Sequence, residues 1–378
     1  MKMARRFWKL LFLLPVCAAL AAEPDKPAEP DRTALAVEAL SRLQGADLNT
    51  NPKLKETVLK VLEKTRGTPN FVKLVQQFKL TDQDAGLLEV AQAHPADDTG
   101  VEAVRMILEH KNLALLQAAL QGTNASALKT AEVLGHAGDK QAVPLLVPIV
   151  NDARRDVALR KQAVRSLAKT SDGAAVLLRL AKEGALAEEL KFTASSELNQ
   201  TRWPELKEQA AKLLPLPPGR NDQPLPPVAD MLKMKGDLAN GAKIFASPIV
   251  GCANCHQVNG QGVDFGPNLS EIGGKLAKEA FYEAILDPSA GISFGYEAWQ
   301  LTLKSGDEAF GLLASETGDE VAIKTIGGII TRHKKSDIQA RQQMKLSTMP
   351  AGLQQLMTAQ ELVDLVEYLT TLKKAGGQ

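Results

Sequence analysis

The chain of 378 residues is long enough for two or three domains, and with 44% hydrophobic and 24% charged residues it has the composition of a soluble globular protein. Its formal net charge is +1 and 4% of its residues are aromatic, which excludes the basic, aromatic-rich surface of a typical nucleic-acid-binding protein. The low aromatic content favours helices built on Ala and Leu over a β-rich core.

The first 22 residues predict a secretory signal peptide. A segment with four basic residues precedes an uncharged apolar run from Leu10 to Ala22, which is too short to span a bilayer as a mature helix. Small residues at Ala19 and Ala21 suit cleavage. The alternatives are an uncleaved anchor and a lipoprotein signal ending at Cys17, whose preceding residues are poor for that site. We therefore expect a periplasmic or secreted protein with no membrane span in the mature chain.

Residues 31–214 have the pattern of successive amphipathic helices with a weak internal repeat. The segment AEVLGHAGDKQAVPLL, from Ala131, aligns with VRSLAKTSDGAAVLLR, from Val164, after a shift of 33 residues. Leu134 then matches Leu167. Periods of this size are typical of stacked helix pairs, and the pattern resembles a HEAT-like α-solenoid.

Three histidines in this region, His94, His110 and His136, have no cysteine beside them and no metal-ligand spacing. Scattered histidines of this kind are typical of helix caps and surfaces rather than of a metal site. We expect structural roles for them.

Residues 215–230 predict a linker. Within LPLPPGRNDQPLPPVAD, proline removes backbone donors and prevents helix formation, which favours a semi-rigid connection. The sequence thus predicts a helical-repeat domain over 31–214 and a second domain over 231–378.

The second domain contains GCANCHQVNG, in which Cys252, Cys255 and His256 stand close together in a chain with three cysteines and five histidines. A zinc site normally needs four protein ligands, and no second cysteine pair completes one. A thioredoxin-like pair belongs to a βαβ unit, which nothing around the motif indicates. The third interpretation is covalent haem, in which both thiols bond haem vinyl groups and the adjacent imidazole points at the iron. The predicted secretory signal would deliver the chain to the compartment where such haem is attached.

Three segments carry a family resemblance: GDLANGAKIFASPIVGCANCH, the loop GPNL and the final TAQELVDLVEYLTTLKK. With them, residues 236–373 resemble a class I c-type cytochrome. The resemblance implies one covalent haem c attached through Cys252 and Cys255, with His256 as an axial iron ligand. It also implies that the Pro267 carbonyl accepts the Nδ1–H of His256 and orients the ring.

The last segment also predicts a helix by itself. Thr358 and Glu361 have the spacing of a capping box, and an apolar stripe follows them. The cytochrome resemblance implies that Gly241 and Phe245 lie at packing positions of the N-terminal helix and that Tyr368 lies near Phe245.

Four residues after the motif could supply the sixth iron ligand, namely His333, Met344, Met349 and Met357. Met357 is explained as core of the final helix, His333 lies in a basic segment typical of a surface, and Met344 lies in the segment that leaves the strands. Met349 precedes Pro350 on a stiffened loop, where the resembling family carries its methionine. We expect Met349 to be the ligand, the alternative being a methionine that only fills the core.

The chain between His256 and Met349 is longer than a compact class I cytochrome needs, and residues 296–333 alternate between apolar and polar with glycine turns. This pattern predicts four to five short antiparallel strands, a small SH3-like β insertion that we expect to be separable from the haem site. With this insertion, the C-terminal domain more specifically resembles a haem-binding domain with a β insertion that is found in secreted bacterial proteins. Many of those carry helical repeats or a propeller and are linked to dehydrogenase-like functions.

The sequence as a whole predicts a mainly α protein: a HEAT-like α-solenoid followed by a cytochrome c fold with a small antiparallel β insertion. It favours a secreted monohaem electron carrier that exchanges electrons with a redox partner, such as a dehydrogenase-type protein docked by the repeats. We identify no catalytic triad, dinucleotide fingerprint or paired-carboxylate site. The alternatives are a haem enzyme or gas sensor with a displaceable sixth ligand, for which Arg332 and His333 are distal candidates, and a scaffold built on the repeats.

Overall fold

The computed structural model describes residues 32–43, 45–216 and 223–374. The predicted signal peptide, including Cys17, and the middle of the predicted linker lie outside these residues. The described chain is mainly helical and carries one small antiparallel sheet near its C-terminal end, which confirms the predicted class. No helix in the described part of the chain is long and apolar enough to cross a bilayer.

Residues 32–214, called the helical region here, form a succession of short helices. Their bounds are α1 (Arg32–Ser41), α2 (Pro52–Thr65), α3 (Pro69–Gln77), α4 (Asp84–Ala93), α5 (Asp98–Glu109), α6 (Leu113–Gln121), α7 (Asn124–Ala137), α8 (Val143–Asn151), α9 (Val157–Leu167), α10 (Ser171–Lys182), α11 (Glu188–Asn199) and α12 (Pro204–Leu213).

The helices begin where side chains satisfy the free amides of a first turn. Asn51 accepts a hydrogen bond from the Leu54 amide in front of α2, and Asp156 does the same for Leu159 in front of α9. The odd-numbered helices from α3 to α11 each pack against the next odd-numbered helix, and neighbouring helices pack alongside them.

The internal repeat found in the sequence matches equivalent structural positions. Leu134 and Leu167 lie in the last turns of α7 and α9, and both are buried. The same shift relates Leu145 in α8 to Leu178 in α10, which are buried too. The aligned leucines of the sequence repeat are thus all buried within helices.

Residues 223–374 form the C-terminal region, with helices α13 (Val228–Met231), α14 (Leu238–Ala246), α15 (Lys278–Leu286) and α16 (Ala359–Thr371). The linker predicted over 215–230 ends earlier than expected, because Leu225 and Val228 already pack against the core of this region. Prolines suppress helix formation upstream, but they do not prevent apolar residues between them from packing.

Helices α14 and α16 pack together closely. A Cβ atom at Gly241 would lie 2.1 Å from the carbonyl oxygen of Asp364, so only glycine permits this separation. The rings of Phe245 and Tyr368 lie 6.0 Å apart between centroids, which confirms that predicted contact. The predicted capping box is also confirmed, since Thr358 begins α16 with its reciprocal hydrogen bonds to Glu361.

The sheet contains five described strands in the order β4-β3-β2-β1-β5, and every neighbouring pair is antiparallel. Their bounds are β1 (Ala298–Leu303), β2 (Glu308–Glu316), β3 (Glu320–Lys324), β4 (Ile330–Lys334) and β5 (Ile338–Gln343). The β insertion therefore ends at Gln343, later than the predicted residue 333. The number of strands agrees with the predicted four to five, but the predicted bound stops before strand β5 (IQARQQ). Most of β5 is exposed on an edge, so it lacks the apolar alternation that indicates a strand.

The β insertion contacts both of its neighbours, which corrects the expectation that it is separable. Ile329 is buried within the core of the helical region. On the other side, the Lys324 ammonium pairs with Asp264 of the C-terminal region at 2.9 Å. Alternation of apolar and polar residues predicts a strand but not what packs against it, so these contacts have no signal in the sequence.

A second set of contacts joins the insertion to the end of the helical region. The Arg202 guanidinium lies 4.1 Å from the Trp203 ring centroid and 5.2 Å from that of Phe310. The Glu308 carboxylate accepts hydrogen bonds from Arg202 at 3.1 Å and from the Trp203 indole N–H at 3.0 Å. These charged and aromatic contacts fix the sheet against α12.

Candidate haem site

The cysteine motif forms a tight turn. Gly251 takes a left-handed conformation with φ of 77°, and a single 3₁₀ turn follows over Cys252–Asn254. The His256 amide then donates a hydrogen bond to the Cys252 carbonyl at 2.9 Å, and the Cys255 amide donates to the same oxygen at 3.1 Å. Both thiols are free, and the turn brings them to one cavity with the imidazole.

The loop after the motif orients the imidazole. Nδ1 of His256 lies 2.8 Å from the Pro267 carbonyl oxygen. Because a carbonyl oxygen only accepts, Nδ1 carries the proton and Nε2 keeps a free lone pair. Gly266 lies against the ring, since a Cβ there would come within 2.6 Å of the His256 Cε1.

Burial governs the protonation of the three motif side chains. It raises the pKa of Cys252 to about 12 and that of Cys255 to about 11. It lowers the pKa of His256, against the smaller effect of the hydrogen bond to Pro267. The histidine is therefore neutral, as an iron ligand must be, while the thiols lack the lowered pKa of a reactive redox pair.

A cavity of about 480 Å³, called the CxxCH cavity, opens beside these groups. Cys252, Cys255, His256, Pro267 and Met349 line it. Much of the remaining wall is apolar and includes Phe265, Phe281, Ile285, Leu365 and Leu369. Haem c needs two thiols, a neutral imidazole and an apolar enclosure for its macrocycle, and the residues present fit each of these needs. Among the described residues, no group of three or more His, Cys, Asp or Glu is placed to hold a bare metal ion.

The CxxCH cavity separates the four candidates for the sixth ligand. Among the described residues that line it, the methionines are Met349 and Met357, whereas Met344 and His333 lie elsewhere. Met357 is 1% exposed and packs in the core of the C-terminal region, as its position in the sequence suggests. The Met349 amide donates to the Ser347 hydroxyl at 3.1 Å, and the Ser347 amide donates to that of Ser289. This pair of bonds fixes the loop that carries Met349.

His333 is not on the surface, which corrects the prediction from its basic sequence context. It is 7% exposed, and its Nε2 lies 3.0 Å from the Thr331 hydroxyl. It lines a second, polar cavity of about 980 Å³ between the helical region and the sheet, together with Arg332. Alternation within β4 buries every second side chain whatever the charge of its neighbours, so composition was misleading there.

Two of the three histidines of the helical region, His94 and His110, lie at helix caps as expected. His94 and His110 are the C-cap residues of α4 and α5, and they pair with Asp97 at 2.8 Å and with Asp84 at 2.7 Å. His136 lies in the last turn of α7 and is partly buried, and burial lowers its pKa to about 4.

The helical region contributes residues to the CxxCH cavity that the sequence did not indicate. From α9 and the segment after it come Arg165 and Lys169, and from α11 and its C-cap come Ser196, Glu197 and Gln200. A single sequence does not show that residues so far apart in the chain lie close together in the fold. The helical pattern around these residues predicts only that they lie on the outer face of their helices.

A comparison with protein families matches residues 238–302 to the family Cytochrome c. The matched stretch begins with α14, contains the motif and the Pro267 loop, and ends in β1. The search of curated proteins found no match. The chain thus contains a c-type cytochrome domain, which implies covalently bound haem c and haem-based electron transfer with a redox partner. The helical region, most of the β insertion and Met349 lie outside the matched residues.

Proposed function

We propose that the protein is a secreted monohaem c-type cytochrome that carries single electrons to or from a periplasmic, dehydrogenase-type partner. The observation that carries the proposal is the hydrogen bond of His256 to Pro267 at 2.8 Å, beside two free thiols in one apolar cavity. Haem c would supply the one-electron couple of its iron. The chain would bind the haem and adjust its reduction potential.

Each side chain has a distinct part in this proposal. Cys252 and Cys255 would form the thioether bonds, and His256 would coordinate through Nε2 while Pro267 holds its ring orientation. Met349 would supply the second iron ligand, and a thioether ligand together with an imidazole would favour a high reduction potential. The apolar walls would keep water from the site, which also favours the less charged, reduced state.

The helical region is proposed to be a HEAT-like solenoid that docks the redox partner. The row of packed odd-numbered helices and the repeated pair α7–α8 and α9–α10 support the repeat architecture. Secretion is supported by the pattern of residues 1–22. Determining the N-terminal residue of protein purified from the periplasm tests this part: a chain starting near Glu23 is expected, and one retaining Met1 contradicts it.

The alternative of a haem enzyme or gas sensor has less support. A displaceable sixth position needs room and a polar distal group, and the distal candidates Arg332 and His333 line the other cavity. Both Met349 and Met357 instead face the CxxCH cavity.

Covalent attachment is the decisive test of the cofactor. The full chain, produced with a cytochrome c maturation system, should give a haem-stained band on a denaturing gel and keep its colour through acid–acetone extraction. The variants Cys252→Ala and Cys255→Ala should each lose one thioether, and the double variant should lose the band. Met344→Ala serves as the control, because Met344 lies outside the CxxCH cavity. Colour that is extracted from the wild-type protein contradicts the proposal.

A further inference from the structure

The CxxCH cavity is bounded by the helical region as well as by the cytochrome domain. Lys169 follows α9 and Glu197 lies on α11, and both side chains line the cavity that contains Cys255 and His256. They face each other across neighbouring helices, with the Lys169 ammonium 3.5 Å from the Glu197 carboxylate. An ion pair from outside the matched cytochrome segment therefore lies at the edge of the proposed cofactor site.

The cationic member of the pair shares the cavity wall with the cysteine motif. Lys169, Cys255 and His256 line the same cavity, so the Lys169 charge acts on a group held beside the motif. The carboxylate of Glu197, which pairs with Lys169, partly compensates that charge.

Both side chains are partly shielded from solvent. The exposed fraction of the side chain is 39% for Lys169 and 26% for Glu197. By contrast, Lys212 and Glu208 of α12 form an ion pair at 2.7 Å whose side chains are both 71% exposed, and neither of them lines the cavity. Solvent screens the α12 pair more strongly, which makes it a matched control for charge and residue type.

We propose that the ion pair of Lys169 and Glu197, supplied by the helical region, belongs to the haem site and sets its reduction potential. The inference rests on the proposed haem function and deepens it. Reduction adds one electron from an external reductant and breaks no bond, so the charge of the site falls by one. A nearby cation stabilises the reduced state and a nearby carboxylate destabilises it, and the two side chains therefore act with opposite signs.

The coupling also has a consequence for regulation. Lys169 and Glu197 belong to the helical region rather than to the cytochrome domain. The reduction potential therefore depends on how α9, with the segment after it, and α11 lie over the cavity. A shift of these helices therefore changes the reduction potential. By linkage, a change of oxidation state alters the free energy of packing of α9 and α11 over the cavity by the same amount.

The test is a redox titration of the full holoprotein with mediator dyes, following the haem spectrum. Lys169→Gln should lower the ferrous-to-ferric ratio at a fixed ambient potential, and Glu197→Gln should raise it, each by about two- to tenfold from Coulomb's law at an intermediate dielectric constant. Lys169→Arg keeps the charge and should restore the wild-type ratio. Lys212→Gln and Glu208→Gln should leave the ratio within twofold of the wild-type value, since that pair is exposed and does not line the cavity.

The outcomes separate the two proposals. A wild-type chain without covalently bound haem overturns the proposed function. Haem that is attached normally, with Lys169→Gln and Glu197→Gln matching the α12 variants or shifting the ratio in the same direction, overturns this inference and leaves the cytochrome function intact. Far-UV circular dichroism and the visible spectrum of each variant verify that the fold and the axial ligands are unchanged.

Discussion

The imidazole of His256 is held from several directions at once. Its backbone is fixed by the hydrogen bond to Cys252, its Nδ1 by the Pro267 carbonyl, and its ring by the backbone of Gly266. A free imidazole ring can turn about two bonds. These contacts fix the direction of Nε2, so the proposed ligand is oriented before any metal is bound.

Gly266→Ala should therefore disturb the site without changing any ligand. The new Cβ would lie 2.6 Å from the His256 Cε1, closer than nonbonded carbon atoms approach, so the ring must move and its bond to Pro267 must lengthen. We expect an altered axial spectrum and a lower yield of haem-loaded protein. Gly274→Ala is the control, because a Cβ there meets nothing within 4 Å. Identical spectra for both variants would show that the glycine does not position the ring.

Met349 is the site residue for which a mutation is most informative. Met349→Ala should abolish the Met-to-iron charge-transfer band, lower the reduction potential and allow the ferrous protein to bind carbon monoxide, because a soft ligand is replaced by an open position. Met344→Ala should leave all three properties unchanged. If the band survives in Met349→Ala and disappears in Met357→Ala, the ligand is Met357, the other methionine of the cavity.

At the scale of elements, the crossing of α14 and α16 supports the cavity from behind. Asp364 of α16 is 2% exposed and accepts hydrogen bonds from the Asp237 amide at 2.8 Å and the Asn240 side chain at 2.7 Å. These bonds attach the cap and first turn of α14 to the middle of α16. The hydrogen bonds and the close approach at Gly241 together fix the distance between the two helices.

Gly241→Ala should force these helices apart. The added Cβ would meet the Asp364 carbonyl at 2.1 Å, a backbone atom that cannot rotate away. We expect the free energy of unfolding to fall by about 1–3 kcal/mol, the usual cost of overpacking. Denaturant titration of the holoprotein measures the loss, with Gly274→Ala as the reference. A loss no larger than that of Gly274→Ala would mean that the crossing relaxes freely.

The elements also show what sequence patterns can and cannot predict. Local chemistry predicted the capping box at Thr358 and the strand alternation that begins near Ala298, because each signal lies within a few residues. The predicted end of the insertion fell short of strand β5 because that strand is polar. The burial of His333 was not predicted because its charged neighbours in the sequence indicated a surface position. Lys169 could not have been assigned to the site from the sequence. The pattern of α9 indicates which of its faces is exposed, but not that the cysteine motif lies next to that face.

On the scale of the whole molecule, the β insertion joins the two larger regions. Its Ile329 packs in the core of the helical region, and its Ile326 lines the CxxCH cavity. Its Lys324 pairs with Asp264, which lies between the cysteine motif and Pro267. Replacing it with a flexible linker would remove these contacts together. The insertion is thus a structural part of the site, although its strands bear none of the predicted ligands.

Two histidines at this junction, the buried His333 and the partly buried His136, should make the assembly sensitive to acid. Burial lowers the pKa of His333 to about 4, with Arg105 adding to the effect and Asp337 opposing it, and burial also lowers that of His136 to about 4. Each pKa lies below the ordinary value of 6.5, so the unfolded chain takes up protons at a pH where the folded chain does not. Stability is therefore fully present above pH 6.5 and falls between pH 6.5 and about 4, by up to about 1.4 kcal/mol per pH unit for each histidine.

The variant His333→Gln isolates this effect from other titrating groups. Burial raises the pKa of Glu102 and Asp139 nearby, and these carboxylates oppose the histidines by favouring the folded state as the pH falls. The difference between wild type and variant cancels them, because both proteins keep these carboxylates. Urea titrations of the holoprotein from pH 8 to pH 4 should give a shallower acid slope for His333→Gln and parallel curves above pH 7. Parallel curves over the whole range would mean that His333 is protonated equally in the folded and unfolded chains.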